Sequence, residues 1–326
     1  MKPTLFAALA LLATGAEASF DLMLIPGNDN RVYRYDPLNN VQLGSYGTQG
    51  SSNCVAADTR GISYTSTGTN STQAIRYSTG EQVNMIQGSI SARAHELMGN
   101  YVYVLTSAGV WRTHIQTGAT TLASYGGTVA LHSMAGYGNN LVILGTNTSN
   151  QISAINFDLS TLTFGSSVTT TFSVASSSIL GKAAVVESPT AGNLSLLFTY
   201  NNGANAVATR MNLNASGQVT SASISSLTLS NFAVSGMMPG FMTGHGGGAW
   251  LFGRDNVGAS HFRVTRIDPS AFGTPMEGET ATFSAQGGAF QAGVYYSHAA
   301  TVIAPEPGTM AALGLGAVAL LRRKRR

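Results

Sequence analysis

Three of the six histidines, His95, His132 and His298, sit inside short runs of small residues (RAHELM, ALHSMAG and GVYYSHAATV). Imidazoles from three separate segments can hold a metal if the chain gathers them around one point. None lies in an H-x-x-H or H-E-x-x-H pattern, so spacing alone does not gather them. Histidines hydrogen-bonded inside a channel are the plainer reading, and the expected metal and cofactor content is none. Gly244-His245-Gly246-Gly247-Gly248 has the look of a glycine-rich oxyanion loop, but such loops serve a G-x-S-x-G nucleophile elbow, and Gly88-Ser89 and Gly165-Ser166 do not supply that spacing. Glu277 and Glu279 are the closest carboxylate pair. They alternate along a Gly/Thr-rich stretch, where a solvated strand edge explains them. Cys54 is the single cysteine, which excludes an intramolecular disulfide. It falls in an apolar stretch that suits a buried thiol. No calcium loop, P-loop or dinucleotide fingerprint is present, so the sequence names no catalytic residue.

Positioning any of these groups falls to a repeat. Short apolar runs begin at Leu22 (LMLI), Ile62 (ISYT), Tyr101 (YVYVL), Leu141 (LVIL), Leu194 (LSLLF) and Ala249 (AWLF), at intervals of 40, 39, 40, 53 and 55 residues. An interval of about 40 residues matches a four-stranded propeller blade. Each run is followed by a turn and an alternating segment: VYRYD (32–36), AIRYS (74–78), GVWRTHI (109–115), ISAINFD (152–158), ATRMNLN (208–214) and FRVTRID (262–268). Alternation of apolar with polar residues is the signature of a half-buried strand.

Runs of small residues precede most of the apolar ones: 54–58, 93–98, 130–136, 182–186 and 233–238. They fit an innermost strand, where blades converge. The first unit lacks one, and a matching segment appears at 293–302. The expected fold is an all-β β-propeller of six blades, with the C-terminal strand closing blade one. The alternatives are seven blades or a β-sandwich.

The two ends carry different information. Lys2, an apolar run at 5–13 (LFAALALLA) and small residues at Ala16 and Ala18 have the three parts of a secretory signal peptide. Nine apolar residues make a helix of roughly 14 Å, about half a bilayer core. Residues 1–18 are therefore expected to be removed, leaving Ser19 first. At the other end, Pro305-Glu306-Pro307 precedes an uncharged run at 308–321, and Arg322, Arg323, Lys324, Arg325 and Arg326 follow it. The positive-inside rule holds such a cluster in the cytoplasm and turns residues 19–304 outward. The apolar run spans roughly 21 Å as a helix, short of a core of about 30 Å. It suits a temporary stop better than a permanent anchor.

Motif, short hydrophobic run and basic tail in that order resemble the PEP-CTERM sorting signal, over residues 305–326 only. The resemblance implies an exosortase-type membrane peptidase that cuts near Pro305, with transient inner-membrane contact through 308–321. It also implies release or transfer to the cell surface, in a class of system associated with extracellular polysaccharide in Gram-negative bacteria. The alternative is a tail-anchored protein facing the periplasm. Residues 20–303 loosely resemble extracellular repeat propellers with a strand-Asp-x-x-Thr-Gly turn.

Charge narrows the partners. Of 17 Lys and Arg, six lie in the end segments, and of 14 Asp and Glu, Glu17 and Glu306 do, leaving 11 against 12 over residues 19–304. The basic sequence pI near 9.0 thus belongs to the ends. A domain with so few and so scattered cations has no patch to neutralise phosphates, which excludes nucleic acid. Charged residues make up 10% of the chain, against about 25% in ordinary globular proteins. Hydroxyls and amides must solvate it instead. The expected function is a non-enzymatic binding or structural component of exopolysaccharide or biofilm. A hydrolase or lyase acting on extracellular polysaccharide is the alternative.

Overall fold

The computed structural model describes residues 19–26, 31–36, 41–48, 52–57, 61–67, 72–76, 79–87, 92–175, 180–187, 194–232, 239–243, 249–254, 261–267, 280–284 and 300–305. Among these residues, 24 strands and no helix form six four-stranded antiparallel sheets. Blade one holds β1 (Ser19–Pro26), β2 (Arg31–Asp36) and β3 (Val41–Gly47), with β24 (Ala300–Pro305) along its inner edge. Blade two is β4 (Ser52–Ala57), β5 (Ile62–Thr67), β6 (Thr72–Arg76) and β7 (Glu81–Gln87). Blade three is β8 (Ala94–Met98), β9 (Tyr101–Thr106), β10 (Gly109–His114) and β11 (Thr120–Ser124). Blade four is β12 (Ala130–Tyr137), β13 (Asn140–Thr146), β14 (Gln151–Asp158) and β15 (Thr163–Ser173). Blade five is β16 (Ala184–Glu187), β17 (Leu194–Asn201), β18 (Ala206–Leu213) and β19 (Val219–Leu229). Blade six is β20 (Gly240–Thr243), β21 (Ala249–Arg254), β22 (His261–Ile267) and β23 (Thr280–Ser284).

The second strand of each blade is apolar at consecutive positions because both of its faces are buried. Side chains alternate across a strand, so neighbours in sequence enter different interfaces. Leu22 and Leu24 of β1 pack toward blade two with Val55 and Ile75, whereas Met23 and Ile25 pack toward blade six with Trp250 and Phe252. In β13, Leu141 and Ile143 face blade three while Val142 and Leu144 face blade five. Among the described residues, six such clusters occur, one at each blade junction, including the junction of the last blade with the first. That circuit of cores belongs to a closed six-membered ring and excludes both the seven-bladed ring and the sandwich.

Burial declines outward. β17 is buried at seven of its eight positions, while the outer strand β19 of the same blade is exposed at most of its length. Asn156 of β14 ties two blades: its side-chain amide donates to the Val219 carbonyl at 3.0 Å and its oxygen accepts from the Val219 N–H at 2.8 Å.

Two expected boundaries differ. The innermost strand of blade six is β20, not 233–238, which lies outside the described residues. The small residue that matters there is Gly240, where a Cβ would stand 2.9 Å from the rim of Phe252 and 3.0 Å from the Lys182 nitrogen. The closing strand is also displaced from the expected 293–302. It pairs from Leu24 with Ala300 to Ser19 with Pro305, so the propeller runs one residue into the tripeptide at 305–307.

Candidate functional site: the central channel

The inner strands β4, β8, β12, β16, β20 and β24 neighbour one another around the axis. Between them lies a cavity of about 220 Å³, whose wall includes the small residues Ala56, Ala57, Gly136 and Ala183. Two charged side chains also line it. Glu96 of β8 and Lys182, just before β16, meet with Nζ 3.6 Å from Oε2. Their side chains retain 23% and 9% of their exposure, so the pair is held well out of bulk water. It joins blade three to blade five past the inner strand of blade four.

The backbone around Lys182 is fixed from several directions. Gly181 N–H donates to the Thr199 carbonyl at 3.0 Å, and the Lys182 carbonyl accepts from Phe241 N–H of blade six at 2.8 Å. Ala183 N–H donates to the Ser133 hydroxyl of blade four at 2.9 Å. Gly181 is required here, because a Cβ would lie 1.9 Å from the Pro239 carbonyl oxygen. Such a seat fixes the backbone from which the Lys182 side chain reaches Glu96.

Burial pushes the Glu96 carboxyl above the usual carboxylate range, restrained by the Lys182 charge, a hydrogen bond from its ammonium and one from the Gly136 backbone. A carboxyl held up by desolvation beside an amine is an arrangement able to give or take a proton. His95 lies beside this pair in the cavity wall, fully buried, with Nε2 3.1 Å from the Thr72 hydroxyl. Burial first, and then the Lys182 charge, lower its imidazole to about 3. His132 has Nε2 3.0 Å from the Thr146 hydroxyl of its own blade, and burial with the Arg93 charge lowers it to about 4. Both are neutral at ordinary pH.

Of the three histidines at issue, His95 lines the cavity, His132 turns to Thr146, and His298 lies outside the described residues. Among the described residues no three His, Cys, Asp or Glu side chains approach closely enough to hold a metal. Glu277, Glu279 and the glycine-rich loop at 244–248 also lie outside, as does the side chain of Cys54, whose backbone forms part of β4. Sequence reasoning did not single out Glu96 and Lys182. The available signal was that Lys182 is the one lysine of residues 19–304 and stands in a run of small inner-strand residues.

The two buried histidines give a pH dependence. Their folded-state values lie below the ordinary 6.5, so the unfolded chain binds protons that the folded chain refuses. Their contribution is complete above about 6.5 and is lost as pH falls toward those depressed values. Glu96 opposes this above its ordinary 4.5, since the folded carboxyl holds a proton that the unfolded chain releases. The contribution of one carboxyl opposes that of two imidazoles, and the expected result is a lower thermal midpoint near pH 5 than near pH 7. A His95→Gln/His132→Gln variant should flatten that slope; an unchanged slope would contradict the assignment.

The last residues, 304–326, match the PEP-CTERM protein-sorting motif. Among proteins of curated function, none matches the sequence. Several solved structures share the fold. One from a nidogen/laminin complex aligns with TM-score 0.59 at 11% identity, covering 87% of this chain and 98% of that one. TolB from Acinetobacter baumannii aligns with TM-score 0.56 at 9% identity, covering 93% and 71%. A protein of unknown function from Bacteroides caccae gives TM-score 0.55 at 10% identity, covering 88% and 100%. These likenesses show the propeller and nothing finer. Among the described residues no helix is long and apolar enough to cross a membrane, and 308–321 lies outside them.

Proposed function

We propose that this exported, exosortase-sorted propeller is a non-enzymatic binding or structural component of extracellular polysaccharide or biofilm at the surface of a Gram-negative cell. Signal peptidase removes residues 1–18 after Ala18, and the membrane peptidase cuts near Pro305 within the Pro305-Glu306-Pro307 motif. The basic cluster from Arg322 to Arg326 stops transfer meanwhile. The sorted end at 304–326 supports the first half of this reading.

The binding half rests on the outer strands β15 and β19. Each has 11 residues, none charged, and they pack beside one another. Thr169, Thr171, Ser223, Ser225 and Thr228 are exposed, and Phe172 presents an apolar ring at 43% exposure. Exposed hydroxyls along both faces of these strands, with an exposed ring at Phe172, suit the hydroxyl-and-CH surface of a polysaccharide, where neutral hydrogen bonds and ring contact carry recognition. Pull-down of the mature protein with the host's own polymer is expected to weaken about tenfold in a Phe172→Ala/Thr171→Ala variant, a loss of roughly 1.4 kcal/mol. Equal binding by both would overturn the assignment of this surface.

A second reading, hydrolase or lyase, draws on Glu96 alone, a carboxyl with a raised proton affinity in a channel. It requires polymer cleavage that Glu96→Gln abolishes. Polymer left at full length by the native protein would sink it.

A further inference from the structure

We infer that, while the uncleaved chain is held by its C-terminal segment, the propeller lies flat on the membrane, with the inner-strand ends at Pro305 against the lipid and the opposite face outward. This rests on the sorting reading. In blades three and four the chain passes from the inner strand to the second strand through a short turn, Gly99-Asn100 and Gly138-Asn139 respectively. Blade one has no such turn. Its place is taken by two chain positions, Ser19 at the start of β1 and Pro305 at the end of β24, which are direct partners in the sheet. The domain therefore begins at Ser19 and ends at Pro305 at one corner, on the face that carries those turns.

The tether is short. Only Glu306 and Pro307 separate Pro305 from Gly308, where the apolar run begins. Three peptide steps reach at most about 11 Å between α-carbons. Pro305 lies on the innermost strand, and a four-stranded blade extends about 14 Å from its inner to its outer strand. Standing the ring on its edge would place the exit point at least a blade's width above the lipid, farther than the tether reaches. Only the flat posture keeps the outer strands out of the bilayer. It also leaves the turns at Ser107-Ala108 and around Ser149, on the opposite face, free to meet an extracellular partner.

Single cysteines in the full chain test this. Asn139→Cys sits in an exposed turn on the membrane-side face, and Ser149→Cys in an exposed turn on the other. Asn100→Cys and Ala108→Cys form a second such pair should one variant fail to fold. Labelling uses a bulky polyethylene-glycol maleimide on spheroplasts of a host whose sorting peptidase is inactive, with the labelling of Cys54 in the unsubstituted chain subtracted. The expected result is labelling at Ser149→Cys at least tenfold faster than at Asn139→Cys, with the rates converging once detergent frees the protein. Equal rates in membrane-held chains, or a difference that persists in detergent, overturn the flat posture while leaving the sorting reading intact. A chain that is soluble despite peptidase loss overturns the anchoring and this inference with it.

Discussion

A chain ending at residue 299 is expected to lose cooperative unfolding, whereas one ending at Pro305 keeps it. The difference is β24, whose six residues pair with Ser19 through Leu24 and supply the inner edge of blade one. Backbone hydrogen bonds in such a pair are worth about 1 kcal/mol each, and those lost here come to roughly 5 kcal/mol. That approaches the whole stability of a domain, about 5–15 kcal/mol. The loss also exposes an unpaired edge of β1 to the channel, a template for aggregation. Urea titration of the two chains separates them: a midpoint for the shorter chain equal to that of the longer would refute closure by this strand. The same comparison places a limit on the sorting cut, which has to fall at or beyond Pro305 to leave the ring closed.

The second large effect concerns the channel. Replacing Lys182 by methionine leaves Glu96 without its cation in a partly desolvated wall, and replacing Glu96 by glutamine strands the ammonium. Removing one partner of a buried pair costs about 3–5 kcal/mol, and the remaining exposure of Glu96 places this case near 3 kcal/mol. The double variant Glu96→Gln/Lys182→Met removes both charges and should recover most of that loss, because desolvation and attraction nearly cancel in such pairs. A double-mutant cycle by denaturant unfolding measures the coupling. Additive small losses would show that the pair contributes little to joining blades three and five.

The fold was legible because the second strands serve two interfaces at once. LMLI and LVIL are apolar at every position and LSLLF at all but Ser195, and the structure divides each between neighbouring blades. Their spacing then counts blades. Boundaries were less legible where smallness was the guide. The segment 233–238 is rich in small residues, yet the inner strand of blade six is GFMT, in which Gly240 alone makes the close approach and Phe241 and Met242 are buried. Composition over a window cannot report a contact made by one residue.

The site was legible only in part. Placing His95 and His132 on inner strands was sound, but a strand assignment does not state which way a side chain turns, and His132 turns to Thr146. Glu96 and Lys182 stand 86 positions apart in sequence, in different blades. Nothing local pairs them; the ring does. The C-terminal signal was fully legible, since its motif, apolar run and basic tail are consecutive, and the match spans 304–326.

The most direct test of the account is the intact mass of the protein recovered from its native host, with inner membrane, envelope and medium kept separate. The expected species begins at Ser19 and ends at or just beyond Pro305, and is found outside the inner membrane, folded as a closed ring. A species that keeps Arg326 and stays in the inner membrane of cells with an active sorting peptidase would contradict it.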